Sequence, residues 1–204
     1  MSGWSTGRIE ELDRIPVEHG LEWRPIRRRF GIRSFGINAY TSSRVGGWVV
    51  EEHDESSGHE EIYLVVTGRA TFTLDDEMVD APAGTAIFLP EGAVKRKAIT
   101  EEEGTTVLAI GGWPDKVFVP SAWEWVFEAY AKSPEEGIAI LHEGRKELGD
   151  SPNFDYHLAC LETKAGRLDE ARAHLASAIA AEPELQARAN ADEDLAPLRT
   201  TPSQ

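Results

Sequence analysis

The chain has 204 residues, 41% of them apolar and 28% charged, a globular composition with room for one sizeable core or a compact core and a small annex. With 36 acidic against 21 basic side chains the formal net charge is -15, which argues against generic binding to nucleic acid or an anionic membrane surface. The single cysteine, Cys160, rules out an intrachain disulfide and a cysteine-rich zinc site.

The N-terminus, MSGWSTGRIEELDRIP, lacks a basic-then-apolar leader, and no stretch approaches the roughly 20 apolar residues of a membrane span. A cytoplasmic location, with no membrane and no nucleic-acid partner, is the resulting expectation. Residues 1–32 read as an N-terminal arm. It carries a basic cluster, Arg24, Arg27, Arg28 and Arg29. Those side chains are expected to be solvated or to pair with the chain's own acids, with anion binding as the alternative.

Residues 33–118 read as antiparallel β-structure. GINAY, VGGWVVEE, EEIYLVVTG, RATFTLDD, TAIFLP, VKRKAIT and TTVLAI are short and rich in β-branched and aromatic residues. Asp75-Asp76, Pro82-Ala83-Gly84 and Pro90-Glu91-Gly92 supply turns between them. The connections are too short for helical crossovers, so a sandwich or barrel is expected. Trp48, Tyr63, Phe72 and Phe88 are expected to pack inside it.

The period changes after Pro120. Ser121 with Glu124, and Ser133-Pro134-Glu135-Glu136, read as capping boxes opening helices to about Tyr130 and to Leu148. Further helices are expected over 153–165 and 169–181, stopped by Gly166 and Pro183, with a last short one over 186–189. Residues 119–190 thus form a helical region and 191–204 a C-terminal tail, loose at its end, TPSQ. A weak repeat at spacing 34 aligns Leu141 with Leu175, Ala139 with Ala173 and Gly144 with Ala178. That period suits stacked helix-turn-helix units. Trp113, Trp123 and Trp125 fall at the junction, where one of the last two is expected to pack on the β-structure. Cys160 reads as packing, and His19, His142, His157 and His174 as surface or core residues.

The segment GHEEIYLVVTGRATFTL resembles the first motif of the cupin superfamily, with Glu61 and Gly68 at the motif's glutamate-six-residues-glycine spacing. Gly84, Pro90 and Gly92 resemble the second motif, whose final histidine corresponds here to Lys95. Leu158, Ala159, Gly166, Ala171, Leu175, Ala178 and Pro183 are similar to the signature of a tetratricopeptide unit. The implied architecture is mainly β: a cupin-type antiparallel β-barrel (a double-stranded β-helix or jelly roll), then a small tetratricopeptide-like helical region, as in small bacterial proteins of that make-up. The resemblance also implies a homodimer.

A cupin of this kind usually carries a His-x-His pair ahead of the glutamate. The corresponding places, Asp54 to Ser57, hold no histidine, and a protonated Lys95 would repel a divalent cation. The expected protein is therefore a cupin with a degenerate metal site and no cofactor. It would bind a small organic ligand through His59, Glu61, Tyr63, Lys95 and Lys97, or dock a protein through its helices. The alternative is a metal-dependent oxygenase or isomerase, with iron, manganese, nickel or zinc on a displaced set: His53, His59 and Glu61. A third reading is metal-free acid/base catalysis by His59, Glu61 or Tyr63.

Overall fold

The structure is a computed structural model and describes residues 4–55 and 58–200. The chain divides into two compact units, residues 1–119 and 120–204. The first unit contains ten strands among its described residues: β1 (Ile15–Pro16), β2 (Leu21–Arg24), β3 (Gly36–Ser42), β4 (Trp48–His53), β5 (Glu60–Thr67), β6 (Arg69–Leu74), β7 (Glu77–Pro82), β8 (Ala86–Leu89), β9 (Arg96–Thr100) and β10 (Thr105–Gly112). They form a six-stranded sheet, β1-β2-β3-β10-β5-β8, and a four-stranded sheet, β4-β9-β6-β7. Every pairing is antiparallel.

Period-2 alternation explains how the sheets share a core. Tyr63 and Val65 of β5, Ile87 and Leu89 of β8 and Val107 of β10 point inward from the larger sheet. Val49, Phe72, Ala81 and Ala98 meet them from the smaller one. The Tyr63 and Phe72 rings touch across the gap, with centroids 5.6 Å apart. The sheets are two open layers with separate edges rather than one closed hydrogen-bonded barrel.

The expected hairpin turns are present. Asp75 adopts φ 51° between β6 and β7, and its carboxylate accepts from the Lys95 backbone N–H at 3.0 Å. Between β5 and β6 the chain reverses at Gly68, where φ is +72° and an added Cβ would lie 2.3 Å from Thr105 Oγ1. Glycine is required there on both counts.

The stretch expected as an N-terminal arm supplies β1, β2 and a short helix, α1 (Ile26–Phe30). Strand β2 pairs with β3, so this segment extends the larger sheet. Leu12 and Ile26 are buried with Ala39, against Ile37 and Leu108. The basic cluster divides accordingly. Arg24 and Arg27 are buried, not solvated, and hold backbone carbonyls: Arg24 reaches Leu12 at 3.3 Å and Arg27 reaches Ile32 at 3.3 Å, while Arg24 also pairs with one of the chain's own acids, Glu22, at 3.6 Å. Burial lowers the Arg24 pKa.

The second unit contains α2 (Trp123–Tyr130), α3 (Pro134–Leu148), α4 (Pro152–Lys164), α5 (Leu168–Ala181), α6 (Leu185–Ala191) and α7 (Ala196–Thr200). Ser133 and Glu136 form the complete reciprocal capping box of α3. Ser121 does not cap α2, whose N-cap is Ala122 without a side-chain bond. Trp125 is buried among Leu141, Phe154, Leu158 and Leu161 of the helical unit's own core. Gly137 and Gly144 let neighbouring chain approach: a Cβ at Gly144 would lie 2.7 Å from the Phe154 ring. Their counterparts 34 residues on, Ala171 and Ala178, are fully buried. The terminal TPSQ lies outside the described residues. No helix among the described residues is long and apolar enough to cross a membrane.

A candidate polar site on the inner face of the larger sheet

Residues directly opposed in an antiparallel ladder share a face. Asn38, Ala109 and Tyr63 form one inward row across β3, β10 and β5. Gly36, Gly111 and Glu61 form the next row toward the end of the sheet. One pleat further on lie His59 and Trp113. The inner face is thus apolar in its middle and polar at this end.

At its centre is a charged triad. Tyr63 Oη donates to Glu61 Oε2 at 2.6 Å, and Arg96 Nη2 donates to the same oxygen at 2.8 Å. Arg96 Nε donates to Tyr63 Oη at 3.3 Å, and its Nη1 reaches the carbonyls of Gly92 and Val94 at 2.7 and 2.9 Å. Arg96 is 0% exposed. Burial alone would depress its pKa, but the bonds to Tyr63 and Glu61 outweigh that and raise it. Tyr63 is pushed well above the phenol range by burial, then by the neighbouring Glu61 charge. The three groups form a fixed network of proton donors and one shared anionic acceptor.

The inward cation is therefore Arg96 rather than Lys95. In β9 the side chains of Arg96, Ala98 and Thr100 are buried. Lys95 and Lys97 lie on the other side of the alternation and pair with Glu52 at 2.5 and 2.9 Å. Those two lysines hold the exposed Glu52 carboxylate down to about 2. Neither lysine joins His59, Glu61 and Tyr63.

The displaced metal set does not assemble. His53 spends Nδ1 on the Glu51 carbonyl at 2.8 Å. His59 is 7% exposed and packs edge-on to Trp113, ring centroids 4.6 Å apart. Its ring lies over Gly111, where an added Cβ would come within 2.7 Å of Cε1. His53, His59 and Glu61 are not among the groups whose ligand atoms lie within 4.8 Å of one another. The Arg96 guanidinium, 2.8 Å from Glu61 Oε2, already neutralises the negative charge that this carboxylate would offer a metal, and it would repel a second cation. The inner-face residues do not fit a metal centre.

Among the described residues, the group that does gather metal-ligating atoms is in the helical unit: Cys160, Asp192 and Asp194. Its members already have other bonds. Asp192 accepts from Tyr156 Oη at 2.7 Å and from the Asp194 backbone N–H at 3.0 Å. Asp194 pairs with Lys164 at 2.7 Å. Burial pushes the Cys160 thiol up to about 12, which keeps it protonated and a poor ligand. The donor set is possible for a divalent cation but non-canonical, with no histidine triad. No local spacing announces it, because Asp192 and Asp194 fall in the expected C-terminal tail, about 30 residues beyond Cys160.

Two residues that the sequence did not single out for a site, Asn38 and Trp113, join His59 on this face. Asn38 Oδ1, His59 Nδ1 and Trp113 Nε1 are buried without a hydrogen-bond partner. All three belong to the inward rows at the polar end of the sheet. Glu61 adds its second oxygen, Oε1, as an acceptor. Asn38 carried no motif, and Trp113 looked like junction packing.

No family model and no curated protein matches the chain. Solved cupin structures are among those it resembles. An RmlC-like cupin from Desulfovibrio desulfuricans is 16% identical, with 53% of this chain aligned to 96% of that one at a TM-score of 0.44. KdgF from a Halomonas species is 20% identical, covering 52% and 93% of the two chains at 0.44. A cupin-superfamily sugar phosphate isomerase from Silicibacter pomeroyi is 14% identical, covering 57% and 77% at 0.45.

Proposed function

We propose that residues 33–118 are a cupin-type domain that binds a small uncharged polyhydroxylated ligand directly, without a metal, at the polar end of the inner face. The carrying observation is the set of buried, unpartnered polar atoms on Asn38, His59 and Trp113. A buried polar atom without a partner is costly, and a bound molecule that supplies the missing bonds removes the cost. Asn38 Oδ1 and Glu61 Oε1 call for hydroxyl donors, whereas the Trp113 indole N–H calls for an acceptor; a polyol offers both. The neighbouring Glu61–Arg96 pair is self-neutralising, which favours an uncharged ligand over an ion. The Glu61–Gly68 and Gly84–Pro90–Gly92 spacings support the cupin assignment. The tetratricopeptide-like reading of the helices rests on the small residues repeated at Gly137/Gly144 and Ala171/Ala178.

The test is a titration of monosaccharides and polyols followed by the Trp113 indole N–H resonance, with metal content measured on the same protein. Saturable shifts lost in Asn38→Ala and in His59→Ala, on protein without stoichiometric metal, are the expected result. One equivalent of divalent metal, lost in Glu61→Gln, would restore the metalloenzyme reading. No saturable shift with any polyol would remove the ligand class.

A further inference from the structure

A cleft of about 540 Å³ opens in the helical unit between α5, α6 and α7, within the size range of small-molecule sites. Its apolar lining is aliphatic: Leu175, Ile179, Leu195 and Leu198, with alanines between them. Leu175, Ile179 and Leu198 pack on the core around Tyr156 and Cys160 and remain partly open toward the cleft. No aromatic ring lines it, so the surface suits a flexible alkyl body better than a stacked planar one.

The charge is one-sided. Although acids outnumber bases 36 to 21 in the chain, the cleft is lined by two arginines, Arg172 and Arg199, and by no carboxylate. Arg172 Nη1 donates to Asp169 Oδ1 at 3.0 Å, but its Nη2 is buried and has no partner. Arg199 Nη1 is spent on the carbonyls of Ala189 and Asp192 at 2.9 and 3.0 Å, and Arg199 has no carboxylate partner among the described residues. Gln186 and Asn190, also in the lining, bond to each other at 3.0 Å. A buried guanidinium N–H with no acceptor is costly, and a carboxylate meets it with charge-assisted bonds that a neutral oxygen does not match.

We propose that this cleft binds a medium-chain aliphatic carboxylate, its head on Arg172 with support from Arg199 and its tail over Leu175, Ile179 and Leu198. The observation is independent of the polyol site in the β-sheet unit.

The test uses the full chain and octanoate, with octanol as the uncharged control, read by methyl resonances of Leu175, Ile179 and Leu198 and by sedimentation. Octanoate is expected to shift those methyls saturably at constant molecular mass, and octanol to bind about tenfold more weakly, the difference one charge-assisted bond makes. Arg172→Gln should remove the preference for octanoate, and Arg199→Gln should reduce it. Asp169→Asn, which deletes only the exposed ion pair of Arg172, should retain it. Equal binding of acid and alcohol, an unaltered preference in Arg172→Gln, or loss of it in Asp169→Asn would each overturn the proposal. So would octanoate shifts spread outside the cleft.

Discussion

Arg96 shows how much one side chain decides. Its guanidinium makes four hydrogen bonds, to Glu61, Tyr63 and two carbonyls, beside an apolar core that includes Val65, Phe72 and Ala98. Removing it as Arg96→Met leaves the Glu61 carboxylate without its cation, and the expected loss of unfolding free energy in urea is about 3–5 kcal/mol. The double variant Glu61→Leu with Arg96→Met should lose clearly less, because no uncompensated charge then remains. Equal losses would mean that the pair is not coupled. His157 makes the matching case in the helical unit. Its Nδ1 lies 3.0 Å from Tyr130 Oη, and burial drives its pKa down to about 4. In the unfolded chain an imidazole titrates near 6.5. The unfolded state therefore takes up the proton first as pH falls, so stability present above pH 6.5 declines between 6.5 and 4. The span corresponds to about 3 kcal/mol. His157→Gln should flatten that part of the stability curve of the helical unit; an unchanged slope would assign it to other groups.

At the scale of elements, local signals and packing contribute unequally. The box at Ser133 and Glu136 forms because serine, proline and glutamate occupy the N-cap, N1 and N3 positions of α3. Ser133→Ala should cost about 1 kcal/mol by thermal or urea unfolding, the usual worth of an N-cap. The similar pattern at Ser121 and Glu124 forms no such box, since the helix begins one residue later than the pattern requires. Strand β9 shows the same division. Its alternation was legible, but alternation cannot say which of two sets is inward; Arg96 is buried on the same side as Ala98 and Thr100. Strand β2 was illegible because LEWR has no clear period, and it is held in place by pairing to β1 and β3.

At the scale of the whole molecule, the two units have separate cores. The sheets close on Tyr63, Phe72 and Val107, and the helices on Trp125, Leu141 and Phe154. Self-association is a proposal carried by the cupin resemblance. Strand β8 is an edge of the larger sheet, and its Phe88 is 56% exposed rather than packed inside as expected. A second copy adding along that edge would cover both unpaired backbone groups and the ring. Sedimentation at micromolar concentration should give a dimer, converted to monomer by Phe88→Lys. A monomeric wild type would dismiss the dimer, and a dimer that survives Phe88→Lys would move the interface elsewhere.

The sequence by itself determined the order of strands before helices, the turns at Asp75 and at Pro82-Ala83-Gly84, and the capping of α3. These follow from local chemistry: backbone conformations that few residues adopt, periods of two and 3.6, and polar caps beside orphan amides. Only the tertiary structure decided that Arg96 and not Lys95 is the inward cation. It also decided that His53 stays apart from His59, and that Asn38 and Trp113 share the face of Glu61. Asp192 joins Tyr156 and Cys160 from 30 or more residues away in the same manner. Each of these depends on which distant surface a side chain meets, and no local spacing encodes that choice. The aliphatic cleft with its two arginines belongs to the same class, since residues from α5 and α7 line it together only after the chain has folded back on itself.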